Sequence, residues 1–277
     1  MRYTIQVQKG DWRFIMKKRL LSIILVGTIC LSFAACGEKS KKTEKESSDA
    51  STETSSQAKE EEVEEEADAV VEVIEGYSHT PEYDEALSNA DVYGGTDGKT
   101  YDDVKSAYTA AIADVEANSP QYSFTYSLIY VNEDDVPELV CNSNDETFGV
   151  YLISYHEGSL NYALTSGTEF TYIEKQNIVD NTGVVLGAYY DNLLAIRDGQ
   201  WVLLGYGEKG TSDPWAEDSF DENGDPIVDT WTWDDDYLKN DADYNSVLEL
   251  YYSADVAKSV DKYVSKDEIT TEIDGLQ

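Results

Sequence analysis

A break in composition near residue 76 decides how much of this chain can fold. From Gly37 to Gly76 the sequence is dominated by Ser, Thr, Glu and Lys, with no aromatic residue, no Pro and no internal Gly. Such a segment buries too little apolar surface to offset its chain entropy, so residues 36–76, beginning at Cys36, are expected to form a disordered acidic tether. As a coil it would span about 35 Å, and fully extended at most roughly 130 Å. One stripe runs against this reading: Val63, Ala67, Val70 and Ile74 recur at helical spacing. Six Glu between positions 60 and 66 repel one another there, and a partly helical linker reconciles the two. Beyond Gly76 lie 20 of the 21 Tyr and four of the five Trp. A core therefore belongs to residues 77–277.

Upstream of the tether, Met16-Lys17-Lys18-Arg19 is a compact positive cluster, and Leu20 to Phe33 is a mostly apolar stretch of 14 residues. Ala34 and Ala35 then precede Cys36. This is the order of a secretory signal peptide, and the apolar stretch is too short for a bilayer-spanning helix. Phe33-Ala34-Ala35-Cys36-Gly37 resembles the lipobox of bacterial lipoproteins, with Phe33 where Leu is usual. The resemblance implies removal of residues 1–35 and a diacylglyceryl group on the Cys36 sulfur. Acyl chains of the palmitate class would then hold the protein to the bilayer, at the extracytoplasmic face of the cell membrane. Residues 1–15 look unlike the rest of a signal peptide. Lys9-Gly10-Asp11 can be encoded by a ribosome-binding sequence, a reading that starts translation at Met16.

The chain carries 56 acidic against 20 basic residues, a net charge of −36. Residues 1–36 hold +5, the tether −9, and the body −32 from 41 acidic and nine basic residues. The charge is therefore a property of the foldable part. It excludes binding to nucleic-acid phosphates, which needs a cationic face, and electrostatic docking of the body on anionic lipid. It favours cations and cationic proteins as partners. Three Cys are too few for a disulfide framework.

Within the body, Thr100, Asp102 and Asp103 mark a helix start. Val104, Tyr108, Ile112 and Val115 share one helical face, ending near Asn118-Ser119-Pro120. Phe124, Tyr126, Leu128 and Tyr130 alternate, and runs at Glu138–Cys141, Gly149–Tyr155, Leu160–Leu164, Trp201–Tyr206 and Ile227–Trp233 read as further strands. His156-Glu157-Gly158-Ser159 and Arg197-Asp198-Gly199-Gln200 are hairpin turns 41 residues apart between similar apolar runs, a hint of a repeated hairpin. Tyr244, Val247, Leu248 and Tyr251 share a helical face, and Ser265-Lys266-Asp267-Glu268 is a capping box before Ile269 and Ile273. The expected fold is α+β: one antiparallel β-meander sheet flanked by N-terminal and C-terminal helices.

The most recognisable segment is Asn132-Glu133-Asp134-Asp135-Val136-Pro137-Glu138-Leu139, preceded by Leu128-Ile129-Tyr130. It resembles a strand–acidic loop–strand element of uncharacterised Gram-positive lipoproteins, a resemblance that brings no assigned activity. Asn132 and Asp134 also fit a decayed calcium loop, with Tyr130 where the first Asp belongs and Asp135 where Gly does. Asp221, Asn223 and Asp225 have EF-hand spacing, but Pro226 replaces the Gly and Thr232 the bidentate Glu. Solvated turns explain both segments, with weak calcium binding the most either would support and no other cofactor expected. Neither His79 nor His156 belongs to a metal-binding spacing, and no nucleophile elbow or phosphate loop is present. Cys141, inside an apolar strand, reads as a buried small hydrophobe.

Aromatic residues are the better lead. Trp231 and Trp233 alternate in a strand and point to one face, suited either to stacking on a sugar ring or to packing the core. Trp215 lies in the polar loop Ser212–Asp218, where contact residues concentrate. The reading is a membrane-anchored lipoprotein whose body is a non-enzymatic binding or interaction module for a wall glycan, a peptide or a cationic protein. The alternative is a wall- or glycan-directed hydrolase using two carboxylates about 5–10 Å apart. Replacing Cys36 by Ser is expected to move the protein from the membrane to the soluble fraction when cells are fractionated; retention in the membrane would contradict the lipid anchor.

Overall fold

The computed structural model describes residues 77–216 and 218–276. The signal segment, Cys36 and the tether with its helical stripe lie outside the described residues. In chain order the elements begin with α1 (Pro81–Asn89), β1 (Asp91–Val92), β2 (Gly95–Thr96) and α2 (Val104–Asn118). A run of strands follows: β3 (Thr125–Ile129), β4 (Glu138–Asn142), β5 (Val150–His156), β6 (Ser159–Leu164), β7 (Thr171–Ile173), β8 (Ile178–Val185), β9 (Ala188–Arg197) and β10 (Gln200–Gly210). The chain closes with β11 (Thr230–Trp233), β12 (Asp236–Tyr237), α3 (Asp241–Leu248) and α4 (Lys266–Gly275).

Local sequence accounts for the element ends. The Asp103 carboxylate accepts the Ser106 N–H at the start of α2, at 2.7 Å. Ser265 and Glu268 complete the capping box of α4. Thr80 caps α1, with Pro81 in its first turn. Both expected hairpins are present, with positive φ at Glu157 and Gly158 and at Asp198 and Gly199, the pair of left-handed residues that a two-residue turn of matching twist needs. The α+β class is as expected. Helix α1 and strands β7 and β8 have no counterpart in the sequence reading.

The expected single sheet is two. Strands β3 to β6 form a meander with β2 on its outer edge, in the order β2-β6-β5-β4-β3. The other sheet runs β12-β11-β10-β9-β8-β7, with β1 also pairing with β10. The reason lies in burial on both strand faces, seen most plainly in β4, whose five residues are all buried. Tyr126, Leu139, Cys141, Ile153 and Leu160 face helices α2 and α4. Val140, Val150, Leu152 and Ala163 face the second sheet, against Val179, Leu194, Ile196 and Trp201. The far side of that sheet, through Ile178, Leu193, Ala195 and Val202, packs on α1 and α3. The result is four layers, helix, sheet, sheet, helix, and one sheet alone would leave an apolar face in water.

The segment after α3 ties the two sheets together. Lys258 exchanges backbone hydrogen bonds with Tyr172 on edge strand β7, and Val264 does the same with Tyr126 on edge strand β3. The hairpins meet as well: Ser154 Oγ donates to the Gly199 carbonyl at 2.9 Å. A Cβ on Gly199, whose φ is +74°, would lie 2.3 Å from the His156 Cβ. Gly199→Ala should therefore lower stability by roughly 2–3 kcal/mol, read in a thermal or denaturant melt. Gly224→Ala, at φ +88° with open space around it, should cost about 1 kcal/mol. Equal effects would show that the His156 contact does not clamp the sheets.

Candidate functional site

The end of the second sheet formed by the β8–β9 turn is apolar and exposed. Val184, Val185 and Leu186 are each more than half exposed, and Trp215 is 79% exposed. The turn residue Gly187 seats the loop that carries Trp215: its carbonyl accepts the Thr211 N–H at 3.0 Å. A Cβ on Gly187 would meet Phe220 and Pro214 at 3.3 Å. Ile227 joins the same patch through its N–H to the Ser219 carbonyl, and Phe220 bridges to Pro226. Phe220 and Ile227 are themselves exposed. The loop holds its shape through Asp213, which accepts the Trp215 N–H, and Asp229, which accepts from both the N–H and the hydroxyl of Ser212. The loop thus presents Trp215 to solvent.

Of the two roles open to Trp231 and Trp233, packing is the one the structure places them in, Trp233 in the core and Trp231 half-buried at its edge. Trp233 is buried and stacks on Tyr251 with ring centroids 5.9 Å apart. Its indole lies across β10 at Gly205 and Gly207, where a Cβ would approach to 3.0 and 2.6 Å. Trp231 packs against the same cluster. The two missing side chains on β10 are what seats the indole.

The acidic turns are hydrogen-bonded to themselves. Asp134 accepts the Val136 N–H and bonds Asn132 through both side chain and backbone. Asp221 accepts the N–H groups of Asn223 and Asp225. Among the described residues no three His, Cys, Asp or Glu side chains converge as metal ligands. Asn132 and Asp134 instead border a shallow groove of about 230 Å³ with His156, Asp198 and Gly199. A neighbouring groove of about 260 Å³ lies beside Thr96, Asn161 and Gln200. Both lie at the end of β9 opposite the Trp215 patch, about 30 Å away along the strand.

Three carboxyls absent from the sequence reading as sites are withdrawn from water, Glu138 and Asp180 buried and Asp191 half-buried. Glu138 opens β4 between the sheets, 2% exposed, and accepts the Val131 N–H at 2.8 Å. Burial pushes its carboxyl up to about 8. Asp180 on β8 is 3% exposed and meets Asp191 on β9 on the helix-facing side of the sheet. Burial, and then the charge and hydrogen bond of Asp191, hold Asp180 well above the usual carboxylate range. Burial raises Asp191 too, opposed by the Tyr244 hydroxyl that donates to it, the Lys209 ammonium and its bond to Asp180. Asp180 Oδ1 is buried without a hydrogen-bond partner, a setting that favours the protonated carboxyl over the charged one. Gly207 opens the space for Tyr244, since a Cβ there would lie 2.2 Å from the Tyr244 hydroxyl. Carboxyls in hydrogen-bonding contact leave no room for the water of an inverting glycosidase or the sugar of a retaining one.

No family model matches the chain, and neither a curated protein nor a solved structure matches it. Function is therefore read from these sites alone.

Glu138 and Asp180 hold protons in the folded body at pH values where the unfolded chain has released them. Their contribution to stability is full below about pH 4 and is lost as pH rises, for Glu138 through about 8. Glu138→Gln keeps the acceptor for Val131 and stays neutral. Its stability relative to the wild type should rise with pH between about 5 and 8, by at most about 1.4 kcal/mol per pH unit. Asp180→Asn should behave alike, and melting curves that shift in parallel with pH would contradict both assignments.

Proposed function

We propose that this chain is a lipoprotein of the extracytoplasmic membrane face, held by acylated Cys36, whose body is a non-enzymatic binding module. The observation that carries the binding role is the exposed patch of Trp215, Phe220, Val184, Val185, Leu186 and Ile227, with half-buried Pro214 seated against the turn. Contiguous exposed apolar surface of this kind marks an interaction site, because a monomer in water has no other use for it. Trp215 has the character of an interface anchor: a large ring on a loop whose N–H and hydroxyl groups donate to the Asp213 and Asp229 carboxylates. The lipid would fix the protein's place and the tether its reach, leaving the patch to make contact.

The test is a photoreactive side chain at position 215 in the full, membrane-resident protein, with a second at Asp114 on the surface of α2 as control. Illumination of intact cells is expected to give a discrete adduct from position 215 and none from 114. Equal labelling at both positions, or none at 215, would contradict a binding role for this patch.

A further inference from the structure

We infer that the open outer edge of β8 at this patch receives an extended, lysine- or arginine-bearing polypeptide segment as an added strand, an inference that rests on the patch being a binding surface. Strand β7 covers only part of β8, pairing Thr171, Tyr172 and Ile173 with Asp180, Val179 and Ile178. From Thr182 to Val185 no described residue pairs with the outer edge. The register with β9 assigns the free groups. Val185 and Ala188 close a two-residue turn with positive φ at Leu186 and Gly187, so their backbone groups face each other. Alternation along the strand then turns the N–H and C=O of Thr182 and Val184 outward. Four main-chain groups in a row await a partner, enough to seat a short strand.

Two other edges of the sheets are bridged by later chain. Lys258 pairs with β7 and Val264 with β3. The β8 edge has none of the usual guards: Thr182-Gly183-Val184-Val185-Leu186 contains no Lys, no Pro and no charge, and its ladder with β9 has no bulge. An added strand would gain main-chain hydrogen bonds along this edge and apolar contact from Val184, Leu186, Phe220 and Trp215.

Charge selects the occupant. Residues 211–238 hold ten acidic side chains and no Lys or Arg. Glu169 stands exposed at the other end of the edge, its carbonyl bonded by Asn181 at 2.9 Å. A second copy of a body carrying −32 is repelled, as is an anionic polymer or lipid surface, whereas a cationic segment is attracted.

The test uses the full chain in detergent micelles and labelled peptides of about ten residues alternating Val with Lys, with Ser or with Glu. The Lys peptide is expected to bind, to protect the Thr182 and Val184 amides from hydrogen exchange and to quench Trp215. Its affinity should fall about tenfold or more as NaCl rises from about 50 to about 300 mM. Val184→Pro removes one outward N–H while leaving the β9 ladder intact, and should weaken binding by about tenfold or more with the fold checked by circular dichroism. Trp215→Ser should weaken it without touching the edge. Binding of the Ser or Glu peptide as tightly as the Lys peptide, or binding without protection of Thr182 and Val184, overturns the inference. If binding in those cases still depends on Trp215, the reading of the patch as a binding surface stands. If no peptide perturbs Trp215, both fail.

Discussion

The apolar layer between the two sheets is the constraint on which the rest of this body depends. Val140, Leu152 and Ala163 on one side and Val179, Leu194 and Trp201 on the other have no exposure to solvent beyond 1%. Each sheet already has helices on its other face, so neither half is viable without its partner layer. The order of the elements follows. After the short strands β1 and β2, strands β3 to β6 build one sheet and β7 to β12 the other, and the segment from Tyr252 to Val264 returns across both. Its pairing at Lys258 and Val264 closes one edge of each sheet. Clamping by a late segment makes the fold non-local, with contacts such as Tyr126 to Val264 closing long loops.

A sheet covered on both faces has no neutral place for a carboxylate. Glu138 and Asp180 occupy strand positions that an ordinary two-layer protein would leave in water. Here they stay protonated, because ionising either one buries a charge without a counterion. The Asp180–Asp191 pair softens this cost on one side only: Tyr244 and Lys209 act on Asp191 and oppose the upward push of burial there, while Asp180 has no such help. The arrangement is one of packing and proton placement, distinct from the exposed surface at Trp215.

Much of the fold was legible because its signals are local. The face of α2, the capping box at Ser265 and the two Gly hairpins each need only a few adjacent residues. What was not legible depends on partners far away in sequence. Leu139-Val140-Cys141 has no alternation, the mark of a strand covered on both faces, and Glu138 at its head should have been read as buried for that reason. Strand β8 escaped notice because Asp180, Asn181, Thr182 and Gly183 interrupt its apolar residues. Asn181 in fact braces the 166–169 loop, and Gly183 makes way for Tyr190. Trp233 could not be told from a contact residue until Gly205 and Gly207 were seen to form its seat. The polar loop of Trp215 has no periodicity, which singled the residue out, and its exposure came only from the structure.

The acidity of the body acquires a structural role once the β8 edge is considered. An uncovered strand bearing Val184, Val185 and Leu186 would ordinarily invite pairing with a second copy of itself. Guards such as Lys or Pro on the strand would block that, and would block every other incoming strand as well. A net charge of −32 on the body and a patch rim without a cation oppose self-pairing by repulsion at a distance. The edge itself stays open. Repulsion of this kind discriminates by sign: it acts against copies of the chain and against anionic polymers, and it reverses for a cationic segment. Keeping the edge bare and placing the charge around it is therefore a way to make one strand available to one class of partner.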